Sequence, residues 1–255
     1  MIRMNGNPAL RNRFLASLPD DDLQEFLPKL QSISLSAKEI LFNQGEPIRY
    51  VYFPVSAVVS LLNILEDGDS VEIATIGNEG IVSARAFFDV DSGFATGVTQ
   101  GPGEAMRARI EDFRQYAAKD SFKVLGHRYT EALLSQIVLS AGCNRFHSMG
   151  ERYARWLLTM QDQAETAEFP LTQEFQADIL GVRRQSVAAM ARVFQKAGLI
   201  DYTRGKVKIV DRVGLESAAC NCYGKMKREF ERILMSETGR VSLHRPSPQP
   251  STDLS

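Results

Sequence analysis

The chain has 255 residues, 44% of them hydrophobic, which is enough to bury substantial cores and suits two modest domains better than one. No uninterrupted apolar run approaches the roughly 18–20 residues that span a bilayer, and the opening Met1-Ile-Arg-Met-Asn-Gly-Asn-Pro lacks the apolar core of a secretion signal; a membrane partner is excluded and a cytoplasmic protein expected. The formal net charge of −1 hides an asymmetry: residues 1–120 hold 11 Lys and Arg against 17 Asp and Glu, whereas residues 171–213 hold 8 against 4.

Leu10, Phe14 and Leu18, then Leu23, Phe26, Leu27 and Leu30, carry helical spacing broken at Pro19 and Pro28, which predicts short opening helices. Over residues 33–109 the texture changes to short β-rich runs, among them Glu39-Ile-Leu-Phe, Tyr50-Val-Tyr-Phe, Val58-Val-Ser-Leu-Leu and Val71-Glu-Ile-Ala-Thr-Ile. Gly45, Pro47, Asp67-Gly-Asp, Gly77-Asn, Gly93 and Gly101-Pro-Gly separate them. Short strands with frequent turns predict an antiparallel roll or barrel.

From about residue 111 the pattern is helical through Cys143. Leu125, Leu133, Ile137, Val138 and Ala141 form one apolar stripe with Tyr129 beside it, and residues 121–144 would extend about 36 Å. A helix this long needs a partner along its stripe. A second copy of the chain is the simplest one, and packing on the chain's own β-domain is the alternative. Ser148-Met-Gly-Glu151 is a capping-box pattern that starts another helix through Tyr153, Trp156 and Leu157. Residues 165–170 read as a polar connection.

Residues 171–194 carry the most specific local signal. Thr172 is a candidate N-cap, Gly181 ends a first helix, and a second begins near Arg183. In that second helix Val187, Met190, Ala191 and Phe194 share an inward face. Arg184, Gln185, Ala188, Ala189 and Arg192 point elsewhere, which suits entry into a major groove. Arginine can bond guanine bidentately, glutamine can pair with adenine, and small alanines permit close approach. Arg183 and Arg184 at a helix N-terminus are unfavourable alone and favourable against phosphates. After Gly198, Leu199-Ile-Asp-Tyr-Thr and Lys206-Val-Lys-Ile-Val flank Arg204-Gly205 as a short basic hairpin, a wing that can lie along a phosphate backbone. The candidate base readers are therefore Arg184, Gln185, Ala188 and Ala189, and the candidate backbone contacts are Thr172, Arg183, Ser186, Arg192, Arg204 and Lys206.

These residues resemble the Crp/Fnr family of bacterial transcription regulators over roughly residues 20–213. The most specific likeness is in Leu171-Thr-Gln-Glu, Leu180-Gly-Val-x-Arg-x-Ser-Val and Lys196-Ala-Gly-Leu-Ile. The resemblance implies an α+β protein: an N-terminal antiparallel β-roll (cyclic-nucleotide-binding-like), a long dimerisation helix and a C-terminal winged helix-turn-helix. It implies a homodimer on a pseudo-palindromic operator in double-stranded DNA, with RNA polymerase as a protein partner. Arg184 falls on the family's guanine-reading arginine, Gln185 where many members read a base with glutamate, and Ala189 where some have a second base-reading arginine.

The expected division is 1–112 for the sensor roll with its helices, 113–146 for the dimer helix, 147–213 for the DNA-binding domain, 214–238 for a helical extension and 239–255 for a disordered Pro/Ser-rich tail. The dimer-helix residues are Leu125, Tyr129, Leu133, Ile137 and Ala141.

The sensor resemblance rests on Asn43-Gln-Gly-Glu and on the run from Tyr52-Phe-Pro-Val. Members that bind cyclic AMP hold its ribose with a glutamate and its phosphate with an arginine. The matching stretches here, Gly80-Ile-Val and Phe94-Ala-Thr-Gly, carry neither, so cyclic AMP binding is not expected and the effector is unknown. The three cysteines, Cys143, Cys220 and Cys222, make no disulfide framework. Cys143 and His147, four apart, offer fewer ligands than a closed metal site needs and read as helix packing. Cys220-Asn-Cys222 reads apart from them, with a redox pair as a minor alternative. No metal, cofactor or catalytic residue is expected, since the three histidines form no recognisable catalytic constellation, and an enzyme is not expected. The rival reading is a small-molecule receptor signalling through protein partners with a degenerate DNA-binding domain.

Overall fold

The computed structural model describes residues 6–90, 92–164 and 166–234. It opens on α1 (Arg13–Ala16) and α2 (Asp20–Phe26). The buried Asn12 caps α1 by accepting from the Leu15 N–H, and its amide nitrogen donates to the carbonyls of Pro54 and Gly80. One side chain thus fastens the opening helices to the strands. Asp20, Asp21 and Asp22 crowd the first turn of α2, where negative charge complements the helix dipole.

Seven strands follow: β1 (Gln31–Leu35), β2 (Ile40–Phe42), β3 (Tyr50–Pro54), β4 (Val59–Ile64), β5 (Ser70–Ile76), β6 (Thr96–Thr99) and β7 (Gly103–Arg109). They form two antiparallel sheets in the orders β1-β7-β3 and β2-β6-β4-β5, the expected roll. Helices pack on the roll through an aromatic core in which Phe26 meets Phe53, Phe113 and Phe122 at centroid distances of 5.9, 6.2 and 5.4 Å.

The helical stretch expected to run unbroken from residue 113 to 146 is two helices, α3 (Ile110–Ala117) and α4 (Asp120–Phe146). Lys119 breaks them with extended backbone, and its ammonium is held by Asp22 at 2.9 Å and Glu25 at 2.5 Å. α3 buries Ile110, Phe113 and Ala117 and belongs to the roll. α4 has 27 residues and spans about 40 Å.

The stripe expected to face a second chain turns inward instead. Leu125, Tyr129 and Leu133 are buried in the core of this chain's own roll, with Ile137 packed beside them. Gly126 belongs to the same face, because a Cβ there would stand 2.5 Å from the Phe87 ring. Of the expected dimer residues only Ala141 is exposed. The exposed apolar side chains of α4 are instead Val124, Leu134, Val138 and Phe146, so the helix has two apolar faces and the roll takes the first.

α5 (Met149–Ala164) starts at the predicted box: Glu151 accepts from the Ser148 N–H at 2.8 Å and the Ser148 hydroxyl accepts from the Glu151 N–H at 3.3 Å. β8 (Glu168–Pro170) then replaces the expected loop and pairs with the wing. The remaining elements are α6 (Gln173–Leu180), α7 (Arg184–Lys196), β9 (Ile200–Thr203), β10 (Lys206–Ile209), α8 (Arg212–Ala218) and α9 (Cys222–Leu234). α8 packs on α5, while α9 returns along α4 and brings Phe230 within 6.3 Å of Tyr129. The expected tail, 239–255, lies outside the described residues.

The two halves are joined. Val58, Leu62 and Val98 of the roll share one core with Tyr153, Trp156, Leu157 and Phe169. The Ser70 hydroxyl donates to the Asp178 carbonyl at 3.3 Å, which seats α6 on β5. No described helix is long and apolar enough to cross a membrane.

Candidate nucleic-acid interface

α6 and α7 form the helix pair that the local sequence signals. The Thr172 hydroxyl accepts from the Phe175 N–H at 3.3 Å, and Gly181 closes α6 in the left-handed conformation at φ +61. Gly198, at φ +75, allows the turn after α7. Val187, Ala191 and Phe194 are buried and Met190 is half-buried, which locks the rotation of α7 about its axis. Arg184, Gln185, Ser186, Ala189 and Arg192 consequently face outward, with Ala188 half-buried at the edge.

Arg183 occupies the N-cap position of α7 without a side-chain cap, so the first N–H groups of the helix have no side-chain acceptor. Arg184 pairs with Glu174 of α6 at 3.0 Å, both 64% exposed. Such a surface pair contributes at most about 1 kcal/mol, so it aims the guanidinium and yields readily to a stronger acceptor. The Arg192 Nε donates to the Ala188 carbonyl at 3.1 Å.

The wing is the hairpin β9–β10, with β8 as its third strand in the order β8-β10-β9. Its two turn residues, Arg204 at φ +50 and Gly205 at φ +78, both lie in the left-handed region that a tight two-residue hairpin requires. Arg204, Lys206 and Lys208 are exposed while Val207 and Ile209 point inward. Lys206 contacts Glu168 at 3.1 Å, a partner that becomes visible only once β8 is recognised as a strand. Lys208, outside the expected backbone contacts, adds a further cation to the outer face.

Gln176 occupies a position where a polar residue needs a partner. It is fully buried, accepts from the Tyr153 hydroxyl at 2.8 Å and donates to the Leu171 carbonyl at 3.1 Å. Burial pushes the Tyr153 phenol well above its ordinary range, which keeps it a donor.

The Crp-like helix-turn-helix domain model matches residues 151–218, and the cyclic nucleotide-binding domain model matches residues 32–120. Together they cover more than half of the chain. The chain belongs to the Crp/Fnr family. FixK2 from Bradyrhizobium japonicum is similar in fold, with a TM-score of 0.63 at 16% identity over 75% of this chain and 98% of that one. A CRP-family transcriptional regulator from Thermus thermophilus gives 0.62 at 18% over 73% and 96%. The c-di-GMP-responsive global regulator CLP from Xanthomonas campestris gives 0.61 at 16% over 76% and 100%. No curated protein matches the chain by sequence.

The chain is thus a Crp/Fnr-type transcription regulator with a cyclic-nucleotide-binding-like roll and a helix-turn-helix. In this Crp/Fnr roll the space bounded by Phe42, Ile48, Leu61, Phe94 and Leu133 measures about 10 Å³, room for about one water. The Phe42 ring lies against Gly93 and Gly97, where a Cβ would come within 2.8 and 2.7 Å of it. Arg85 itself lines this space; its Nη1 donates to the Ser92 carbonyl at 2.8 Å and its guanidinium lies over the Phe94 ring at 5.9 Å.

The sequence spacing leaves Cys143 and His147 two ligands short and sets Cys220 and Cys222 apart, whereas the structure gathers all four, with donor atoms within 4.8 Å of one another. Cys143 and Cys220 are 77 residues apart in sequence, which hides the set from local spacing. A hydrogen bond from Cys220 and the charge of Arg155 hold the Cys143 thiol below its ordinary range, and the same contact pushes Cys220 up.

Proposed function

We propose that this Crp/Fnr regulator acts as a homodimer that reads a pseudo-palindromic operator through α7, and that its roll does not take cyclic AMP. The outward face of α7 carries the reading. Arg184 and Gln185 are the base readers, Ala188 and Ala189 permit close approach, and Ala189 leaves out the second arginine contact of some relatives. Thr172, Arg183, Ser186, Arg192, Arg204 and Lys206 hold phosphates; the capping hydroxyl of Thr172 still has a proton to donate.

The dimer seam moves to the exposed face of α4, beside α9, whose Arg232 lies 3.7 Å from Glu131. His127, Glu131, Leu134, Val138, Ala141 and Arg145 are all exposed and recur in alternating steps of four and three, the spacing at which two helices interlock. Cyclic AMP is disfavoured because a small-molecule site of about 300 Å³ or more is needed, whereas the space that Phe42 and Arg85 line in the roll measures about 10 Å³. The effector is unassigned, and RNA polymerase is the expected protein partner.

Selection of bound sequences from random DNA, followed by anisotropy titration of the best inverted repeat against random duplex, tests the reading. Arg184→Ala is expected to lose about 1–3 kcal/mol of discrimination. Lys206→Ala is expected to weaken all sequences about equally and flatten the salt dependence. Equal affinity of the unaltered protein for selected and random DNA would refute the proposal.

A further inference from the structure

We propose that Cys143, His147, Cys220 and Cys222 form a closed tetrahedral site for one divalent ion of the zinc type. All three cysteines of the chain and one of its three histidines meet here. The Sγ atoms of Cys143 and Cys220 are 3.5 Å apart, and the Cys222 Sγ lies 3.6 Å from the His147 Nδ1. A tetrahedral zinc ion with sulfur at about 2.3 Å and nitrogen at about 2.0 Å sets its ligand atoms about 3.5–3.8 Å apart. The observed spacings need only small side-chain adjustment to meet that shape. A disulfide, with sulfurs about 2 Å apart, would need a larger closure and would leave the other two groups unused.

The surroundings fit an anionic centre. The three cysteines are 1%, 4% and 5% exposed and form a cluster of their own, separate from the apolar cores. Arg152 and Arg155 are buried with their Nε atoms unpartnered, and the charge of Arg155 acts on all three sulfurs. A buried guanidinium requires a counter-charge. Three thiolates and a neutral imidazole around a doubly charged ion carry a net charge of −1, which supplies one. His147 is half-buried and leaves a route for the ion.

Four protein ligands leave no open position, so the ion would be structural. Cys143 and His147 end α4, whereas Cys220 and Cys222 flank the turn into α9, and the Cys220 N–H donates to the Glu151 carbonyl at 3.4 Å. The ion would clamp α9 to the joint between the long helix and the DNA-binding domain.

The test uses the full chain purified with reductant and without chelator. Elemental analysis is expected to find one zinc per chain. Cobalt(II) added to stripped protein is expected to give the intense visible bands and thiolate charge-transfer absorption of a tetrahedral sulfur-rich site, abolished by added zinc. Cys222→Ser and His147→Ala, each checked for native circular dichroism, are expected to lower zinc affinity at least about tenfold. Arg184→Ala is expected to keep the ion, which separates this proposal from the DNA-reading one. Reduced wild-type protein that retains no zinc and gives only the pale spectrum of solvated cobalt overturns the proposal. So does iron with labile sulfide in place of zinc, or a Cys143–Cys220 disulfide in protein purified without reductant.

Discussion

The pair Tyr153–Gln176 permits a sharp test of how the core of the DNA-binding domain is held. Both side chains are fully buried, and the tyrosine hydroxyl donates to the Gln176 Oε1 at 2.8 Å. Tyr153→Phe removes the donor and strands a buried amide oxygen, at a cost of about 1–3 kcal/mol. Gln176→Leu strands the tyrosine hydroxyl at a similar cost; the Leu171 carbonyl keeps a donor, since the Tyr202 hydroxyl reaches it at 3.3 Å. The double variant removes both halves of the polar pair together and is expected within about 1 kcal/mol of the parent. The two substitutions should therefore couple by at least about 1 kcal/mol, favouring the double variant. Trp156, the single tryptophan, is buried with its ring stacked on Tyr153 at 6.4 Å, so its fluorescence during urea unfolding reports on this site. Additive costs, with coupling below about 0.3 kcal/mol, would show that the pair is not the unit described.

The paired substitutions Leu134→Asp and Val138→Asp are expected to yield monomers in sedimentation velocity. Leu125→Ala is expected to cost about 2–5 kcal/mol in urea unfolding while leaving the stoichiometry alone, because that side chain packs on the roll; the reverse pattern would restore the original stripe as the seam. Burial raises the carboxyls of Glu72 and Glu79 above their ordinary 4.5 in the folded chain, so the folded state holds protons that the unfolded state has released. Their contribution is therefore full below pH 4.5 and is lost as pH rises toward the folded values, at up to about 1.4 kcal/mol per pH unit for each group. Glu72→Gln with Glu79→Gln should flatten the slope of unfolding free energy in that window, and an unchanged slope would refute the assignment. Arg204→Gly, at φ +50, is expected to relieve up to about 1 kcal/mol of backbone strain while weakening DNA binding; a stability loss above about 1 kcal/mol would show that the arginine serves the fold.

Features written within a few residues of one another were legible in the sequence. The box Ser148 to Glu151, the caps at Thr172 and Gly181, the inward face of α7 and the Arg204-Gly205 turn each follow from local hydrogen-bond or backbone requirements, and together they located the DNA-reading unit. Features that depend on distant partners were hidden. α4 carries two apolar faces, and periodicity cannot say which one the roll claims. β8 is three residues long and is recognisable only beside β10. The partner of Gln176 lies 23 residues upstream on another helix, and the cysteine set closes across 77. The small space that Phe42 lines in the roll is a matter of side-chain volume, which no spacing rule records.

The shared core beneath the roll also governs how the molecule melts. Val58, Leu62 and Val98 are strand-side residues of the first half, yet they are buried among Tyr153, Trp156 and Phe169 of the second. Unfolding either half would expose apolar surface belonging to the other, so neither has a private transition. Calorimetry should record a single cooperative endotherm. A loss of packing at the base of β4 should then lower the melting temperature of the DNA-reading head as much as that of the roll, although no base-reading residue has been touched.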